Sequence, residues 1–177
     1  LVITSEGNYT YDVLVIAMGA STNFFNNGNL EKYAFPMKST VEALQLRHKL
    51  IYNFEDALHT ETEEELQRLM NVVIVGGGPT GVELSGAIAE MKKYVLPKDY
   101  PELDFSKMNI YLLEGTSKTL GSMSEDSSKQ SAAYLNSLGV TVLTETLLND
   151  YDGKTVYLNK DKQIPSSLVI WAAGIKG

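Results

Sequence analysis

The chain has 177 residues, 44% of them hydrophobic, with 22 acidic against 15 basic side chains, a net charge of −7 and no cysteine. That length can bury one good core, or one core and a fragment of another. The negative balance argues against nucleic acid, which demands clustered lysine and arginine, and the missing cysteines exclude disulfides, zinc–thiolate sites and a redox dithiol within this segment. No apolar run approaches the roughly 18 residues a bilayer span needs, and no signal peptide is visible. The chain opens on Leu1 in strand pattern rather than on an initiator methionine, which suggests a piece of a longer protein.

In chain order, Leu1–Thr4 and Tyr9–Tyr11 flank Ser5–Asn8, where Glu6-Gly7-Asn8 is turn material, so a hairpin is predicted. Val13–Ala17 reads as a buried strand closed by Gly19. Val41–Leu58 reads as a helix with Leu44, Ile51, Phe54 and Leu58 on one face, and Thr62 with Glu65 as a capping box for a short helix ending near Met70. The acidic run Glu63–Glu65 is a solvated first turn, favourable to the helix dipole.

Asn71–Glu90 is strand, glycine turn and helix in immediate succession. Val72–Val75 is a β-branched run suited to a buried parallel strand, and Gly76, Gly78 and Gly81 then fall at G-x-G-x-x-G spacing. In such a turn the first glycine makes the bend, the second lets backbone approach a pyrophosphate, and the third lets helix pack on strand. The pyrophosphate sits on the free N–H groups and positive end of the helix. Leu84, Ala87, Ile88, Met91 and Val95 form that helix's apolar stripe, with Ser85, Gly86 and Ala89 keeping it slim near the sheet. Lys92–Lys107 is polar, holds two prolines and reads as an insertion. Asn109–Leu113 is the second strand, and Glu114 at its end stands where a carboxylate accepts hydrogen bonds from a ribose. The insertion stretches the glycine-to-acid interval well beyond the usual span of about 20 residues. The plain alternative is a surface carboxylate at a strand end. Lys118 leaves some room for a 2′-phosphate, but no arginine stands nearby, so NADH is favoured over NADPH.

Ser122 and Glu125 resemble a second capping box, for a helix running to Leu138 and stopping at Gly139. Val140–Leu143 is the third parallel strand. Strand-like stretches follow around Thr144–Leu148 and Lys154–Asn159, turned by Asp152-Gly153, before the final buried strand Leu168–Trp171, closed by Gly174. This order predicts an α/β fold: a doubly wound, Rossmann-like parallel sheet with an inserted antiparallel β-meander. The endings Tyr11–Gly19 and Ser167–Gly174 echo each other, each after a hairpin signal. The second closes a nucleotide-binding domain, so by analogy the first is the tail of another. The expected division is residues 1–22 as the tail of a truncated nucleotide-binding domain (an FAD-binding one, by the family resemblance that follows), 23–69 as a connecting helical segment, and 70–177 as the NADH-binding domain.

Together these motifs are similar to those of the pyridine-nucleotide disulfide oxidoreductase superfamily, flavoproteins with two dinucleotide-binding domains. Within it the chain most resembles the type II NADH dehydrogenases, through Tyr11–Gly19, Gly76–Glu83, Leu168–Gly174 and the insertion containing Tyr100-Pro-Glu-Leu103. The resemblance implies an enzyme in which NADH passes hydride to FAD and the flavin reduces a quinone. It implies cofactor contacts from Gly76, Gly77, Gly78, Pro79, Thr80 and Gly81 to the pyrophosphate, and from Glu114 to the adenosine ribose. It further implies Glu83 beside the nicotinamide, Ala173 and Gly174 along the nicotinamide side, and Gly19 near the flavin. No acid–base catalyst is required, because the chemistry belongs to the cofactors.

The FAD glycine motif, the quinone-site segment and the membrane-binding end are expected outside these residues. The full-length protein is expected to be cytoplasmic, peripheral on the inner face of a membrane. The isolated chain is expected to bind NADH weakly and to lack turnover. Without its neighbours, Val13–Ala17 should either pair abnormally, across a homodimer, or be mobile. His48 and His59 have no partner cluster for a metal. Trp171 is expected to be core and pocket wall at once, with stacking on a cofactor ring as the alternative. Two other functions remain open: a flavoprotein reductase acting on a disulfide, ferredoxin or peroxide, and a non-catalytic dinucleotide-sensing module.

Overall fold

The computed structural model describes residues 1–177, with Lys160 described through its backbone alone. The N-terminal hairpin pairs β1 (Val2–Thr4) with β2 (Gly7–Tyr9). Its turn is only Ser5–Glu6, because Gly7 and Asn8 enter the second strand, Thr4 opposite Gly7 and Ile3 opposite Asn8. Val13–Ala17 is not the buried strand its pattern predicts. Among the described residues it has no ladder partner, with Val13 82% and Val15 81% exposed. A β-branched run becomes a strand only where a neighbour takes its N–H and C=O groups and covers its side chains.

Next come β3 (Ser21–Thr22), α1 (Gly28–Tyr33) and β4 (Phe35–Pro36), none of which carries enough periodicity to be read in advance. The Asn27 side chain caps α1 by accepting from the Asn29 and Leu30 N–H groups. Helix α2 (Thr40–His59) starts at a full capping box of Ser39 and Glu42. It buries Leu46, Leu50, Phe54 and Ala57, while Leu44, predicted on the inner face, is exposed. In α3 (Glu63–Met70) Thr62 caps the Glu65 N–H, but the Glu65 carboxylate turns to Arg68, so half of the predicted box forms.

The centre of the chain follows its pattern closely. Strand β5 (Val72–Val75) is wholly buried and leads through the glycine turn into α4 (Pro79–Tyr94). On α4, Ile88 and Ala89 are buried and Leu84 and Met91 partly so, whereas Ala87 and Val95 of the predicted stripe face outward. The insertion is packed: α5 (Leu96–Asp99) and a 3₁₀ turn at Phe105–Lys107 bury Leu96 and Phe105. The Tyr100 and Phe105 rings each lie 5.6 Å from that of Phe54. Strand β6 (Ile110–Leu113) follows. Helix α6 (Glu125–Ser137) is capped by Ser124 rather than Ser122, two residues later than predicted, the Ser124 hydroxyl accepting from the Ser127 N–H. Strand β7 (Val140–Leu143) follows Gly139, whose φ of +85° ends the helix.

The meander comprises β8 (Leu148–Tyr151), β9 (Thr155–Leu158) and β10 (Gln163–Pro165). The strand expected at Thr144–Leu148 starts only at Leu148, after a bend in which Glu145 takes φ of +50°. Asp152-Gly153 turns β8 into β9, with the Asp152 carboxylate accepting from the Lys154 and Thr155 N–H groups. Strand β11 (Leu168–Trp171) and β12 (Ile175–Lys176) complete the chain.

The main sheet has five parallel strands in the order β4-β11-β5-β6-β7. Its Val72, Ile74, Ile110, Leu112 and Ile170 side chains pack under α2, α4 and α6. The opposite set, Val73, Val75, Leu113, Val169 and Trp171, packs against α1 and the meander through Leu30, Tyr151, Val156 and Leu158. The period-two alternation of each strand thus feeds two cores. Strands β3 and β12 pair antiparallel and tie the front of the chain to its end. Among the described residues, no helix is long and apolar enough to cross a membrane.

Candidate dinucleotide-binding site

The strand order reverses direction between β5 and β11, and in open parallel sheets ligands bind at the carboxyl ends of the strands flanking such a point. Gly76 lies there. Its φ is +110°, its N–H donates to the Leu113 carbonyl at 2.8 Å, and a Cβ on it would meet the Ala172 carbonyl oxygen at 2.6 Å and the Ala173 Cα at 2.8 Å. The bend and the close approach of the β11 end therefore both require glycine. Gly81 seats the helix on the turn: a Cβ there would fall 1.9 Å from the Gly76 carbonyl oxygen. Gly78 faces open space, nothing lying within 4 Å of its would-be Cβ. It is the N-cap of α4, with Pro79 next, no side-chain cap and no acidic residue in the first turn. Unpaired N–H groups and the positive helix end are thus presented at an open surface, an arrangement suited to a phosphate.

Gly77 has a different reason for being glycine. Its N–H donates to Glu114 Oε2 at 2.7 Å, and a Cβ would lie 2.8 Å from that oxygen and 2.9 Å from the Glu114 Cβ. The other oxygen, Oε1, accepts from the Thr116 N–H at 2.7 Å. Glu114 is itself pinned through its backbone, donating to the Leu143 carbonyl at 2.9 Å and accepting from the Thr146 N–H at 2.9 Å. A carboxylate offers about four acceptor positions, so two remain for the hydroxyls of a ribose. The despite-insertion pairing of glycine turn and strand-end acid is therefore real geometry, joined by one hydrogen bond. The G-x-G-x-x-G pattern treats Gly77 as a free position and gives no sign of this bond.

Several contributors carry no sequence signal. Leu120, at φ of +51°, donates its N–H to the Gly77 carbonyl at 2.7 Å and closes the loop after β6 over the glycine turn. Asn23 donates its N–H to the Gly174 carbonyl at 3.1 Å and accepts from Trp171 Nε1 at 2.9 Å. The Phe24 and Phe25 rings stand 5.8 and 6.2 Å from that of Trp171. Trp171 is buried in the core and also lines a cleft of about 370 Å³ shared by Thr22, Lys38, Thr80, Ala172 and Gly174.

Thus Gly76, Gly77, Gly78, Pro79, Gly81, Glu114, Ala173 and Gly174 gather at the carboxyl edge of the sheet, with Thr80 across the cleft from Gly174. Glu83 is exposed and lines instead the groove between α4 and α6, beside Tyr134. Gly19 is exposed, at φ of +79°, with open space around it. Lys118 is occupied: its ammonium bonds Glu125 Oε1 at 2.7 Å and holds that carboxyl below its ordinary range. A roomier apolar groove of about 690 Å³ runs between α2 and α4, lined by Leu46, Leu50, Leu84 and Met91 on the helical layer. His48 and His59 are exposed.

The sequence matches the pyridine nucleotide-disulphide oxidoreductase family over residues 2–177. The chain belongs to that family. It is 31% identical over 169 residues to the type II NADH:quinone oxidoreductase Ndh of Mycobacterium tuberculosis, covering 93% of this chain and 36% of that protein. It is 32% identical to the external alternative NAD(P)H-ubiquinone oxidoreductase B4 of Arabidopsis thaliana mitochondria, covering 97% and 30% respectively. In three dimensions it superposes on NDH2 of Plasmodium falciparum, solved in complex with NADH, with a TM-score of 0.85 and 30% identity, covering 98% of this chain and 37% of that one. The chain therefore spans about a third of the length of these relatives. The Rossmann-like parallel sheet with its separate antiparallel strands is the fold it shares with NDH2.

Proposed function

We propose that this chain is the NADH-holding part of an FAD-dependent NADH:quinone oxidoreductase. The observation that carries the reading is the Glu114 carboxylate, drawn against the glycine turn by the Gly77 N–H at 2.7 Å. One rigid edge then offers N–H donors to a pyrophosphate and acceptors to the adenosine ribose. The carboxylate also sets the choice of nucleotide, since a 2′-phosphate would meet it charge against charge. Lys118, the nearby cation, is already paired with Glu125. NADH is the nucleotide that fits.

The residues of this chain bind and orient. Gly78 and the first turn of α4 hold the diphosphate, Glu114 holds the ribose, and Ala173 and Gly174 wall the nicotinamide side. Glu83 and Gly19, the two further contacts the resemblance implies, stand outside this cleft, Glu83 beside Tyr134 in the α4–α6 groove and Gly19 in open space, and the proposal does not rest on them. FAD, when bound, would supply the acceptor for hydride from NADH and the route for its electrons onward to a quinone. The domain division that goes with this reading is 1–22 as the tail of the FAD domain, 23–69 as connection and 70–177 as the NADH domain. Quinone reduction and peripheral contact with the cytoplasmic face of a membrane belong, on this reading, to the full-length protein.

Calorimetric titration with NADH and NADPH tests the reading. Saturable NADH binding with clearly weaker NADPH is expected, and equal affinity for the two would refute the role of Glu114. For the acceptor, the full-length protein should hold FAD and oxidise NADH with a soluble quinone. NADH oxidation with a dithiol-linked acceptor and none with quinone would overturn that part.

A further inference from the structure

We propose that Lys38 is a further nucleotide-binding residue, its ammonium pairing with the phosphate on the nicotinamide side of the dinucleotide. This rests on the reading of the glycine turn above and assigns a second half to that site. Strand β4 ends at Pro36, in register with Trp171 of β11, so Lys38 leaves the sheet at its carboxyl edge. Glu114 follows β6, on the other side of β5 and its glycine turn. A dinucleotide laid across that turn with its adenosine on Glu114 extends toward β11 and β4. There Lys38 and Thr80 line the same cleft, with Ala172 and Gly174 between them in the sheet order.

The backbone at Lys38 is fixed before any ligand arrives. Glu42 Oε2 accepts from the Lys38 N–H at 2.8 Å and from the Ser39 N–H at 2.7 Å, and the Glu42 N–H donates back to Ser39 Oγ at 3.2 Å. The Glu42 carboxylate beside it is thus turned to backbone donors, with the Lys38 charge as a lesser attraction on it. Among the described residues Lys38 makes no ion pair, in contrast to Lys118 on the adenosine side. The diphosphate carries two negative charges, and the chain has a net charge of −7. The glycine turn supplies N–H groups and a helix end but no cation. Lys38 supplies one at the place where the second phosphate lies.

The test is calorimetric titration of the whole chain and its Lys38→Met and Lys38→Arg variants with NADH, ADP-ribose and AMP, at low and high salt. AMP carries only the adenosine-side phosphate. Lys38→Met should weaken NADH and ADP-ribose about tenfold, as expected for loss of a charge-assisted hydrogen bond. AMP should be unchanged, the salt dependence of NADH binding should flatten, and Lys38→Arg should restore most of the loss. If Lys38→Met binds NADH like the parent, the Lys38 assignment is wrong and the glycine-turn site stands. Equal weakening of AMP and NADH would also overturn the assignment, since Lys38 would then act on the whole site rather than on one phosphate. If the parent binds none of the three, the site reading itself fails and takes this inference with it.

Discussion

Replacing Glu114 by glutamine keeps shape and size, yet it should destabilise the chain even with no nucleotide present. Both carboxylate oxygens accept a backbone N–H at 2.7 Å, from Gly77 and from Thr116. Glutamine offers one oxygen and one NH₂, so one of the two amides must face a donor. Gly77 is buried and Thr116 exposed, so the oxygen will keep Gly77 and water will serve Thr116. A hydrogen bond to a charged group contributes about 1.5–3 kcal/mol, and the exposed one sits at the low end, so Glu114→Gln should lose about 1.5 kcal/mol. Glu114→Ala leaves the buried Gly77 N–H without its acceptor as well and should lose about 3 kcal/mol. Urea unfolding of the two variants without ligand reads these losses as a lower midpoint at constant slope. NADH affinity should fall about tenfold in Glu114→Gln, with discrimination against NADPH relaxed as the repelling charge disappears. Unfolding midpoints unchanged in both variants would show that the carboxylate does not hold the loop, and the preorganised site argued from it would be wrong.

Gly76→Ala should be worse than either, because the residue sits at φ of +110° with the Ala172 carbonyl oxygen 2.6 Å from the new methyl. A loss of about 3 kcal/mol or more is expected from the left-handed backbone and the clash with backbone together, read by thermal unfolding. Phe54→Ala removes the ring on which Tyr100 and Phe105 rest and should lose about 3–5 kcal/mol, with faster amide exchange across residues 96–107. A loss under about 1 kcal/mol would mean that the insertion stands without that anchor. The hydrogen bond and charge of Arg68 hold the Glu65 carboxyl below its ordinary value of 4.5, against partial desolvation. A depressed carboxyl stabilises the fold above its unfolded value and loses that contribution as pH falls through the folded one. Glu65→Gln should therefore be less stable than the parent at neutral pH, by no more than about 1 kcal/mol for so exposed a pair. The gap should close as pH falls below the ordinary carboxyl value of 4.5 and through the lowered folded one, as followed by denaturation across pH.

The crossover from β5 to β6 follows its sequence pattern because its parts lie close in the chain. Val72–Val75, the glycine turn and Ile110–Leu113 are neighbours in one crossover, so periodicity and glycine spacing suffice to place them. Val13–Ala17 and Leu168–Trp171 show the limit. Both are β-branched, apolar runs closed by glycine, yet β11 lies buried between β4 and β5 while Val13–Ala17 stands exposed with no strand beside it. Pattern reports what a segment can do, and a neighbour decides whether it does so. Of the site, the residues with a backbone reason were legible: Gly76, Gly78 and Gly81 by spacing, and Glu114 by following the next strand. Leu120, Asn23 and Lys38 reach the edge by long-range placement, and Gly77 owes its identity to a carboxylate 37 positions away in the chain.

That last contact explains why a turn made mostly of glycine can serve as a binding site at all. Glycine has the most backbone freedom to lose, so a loop of three in a row should be the least ordered part of the chain. Here three elements remove that freedom in advance. The end of β11 packs against Gly76, the carbonyl of Gly76 lies under Gly81 of α4, and Glu114 and Leu120 hold the N–H and carbonyl of Gly77. The ordering entropy is then met by folding and not by the nucleotide, which leaves more of the contact energy to appear as affinity. On the proposed reading Glu114 acts at two levels: it fixes the turn proposed to receive the phosphates and it is itself the proposed acceptor for the ribose. Any change at this residue must alter stability and nucleotide choice together, whereas a residue that only touched the ribose would alter the second alone.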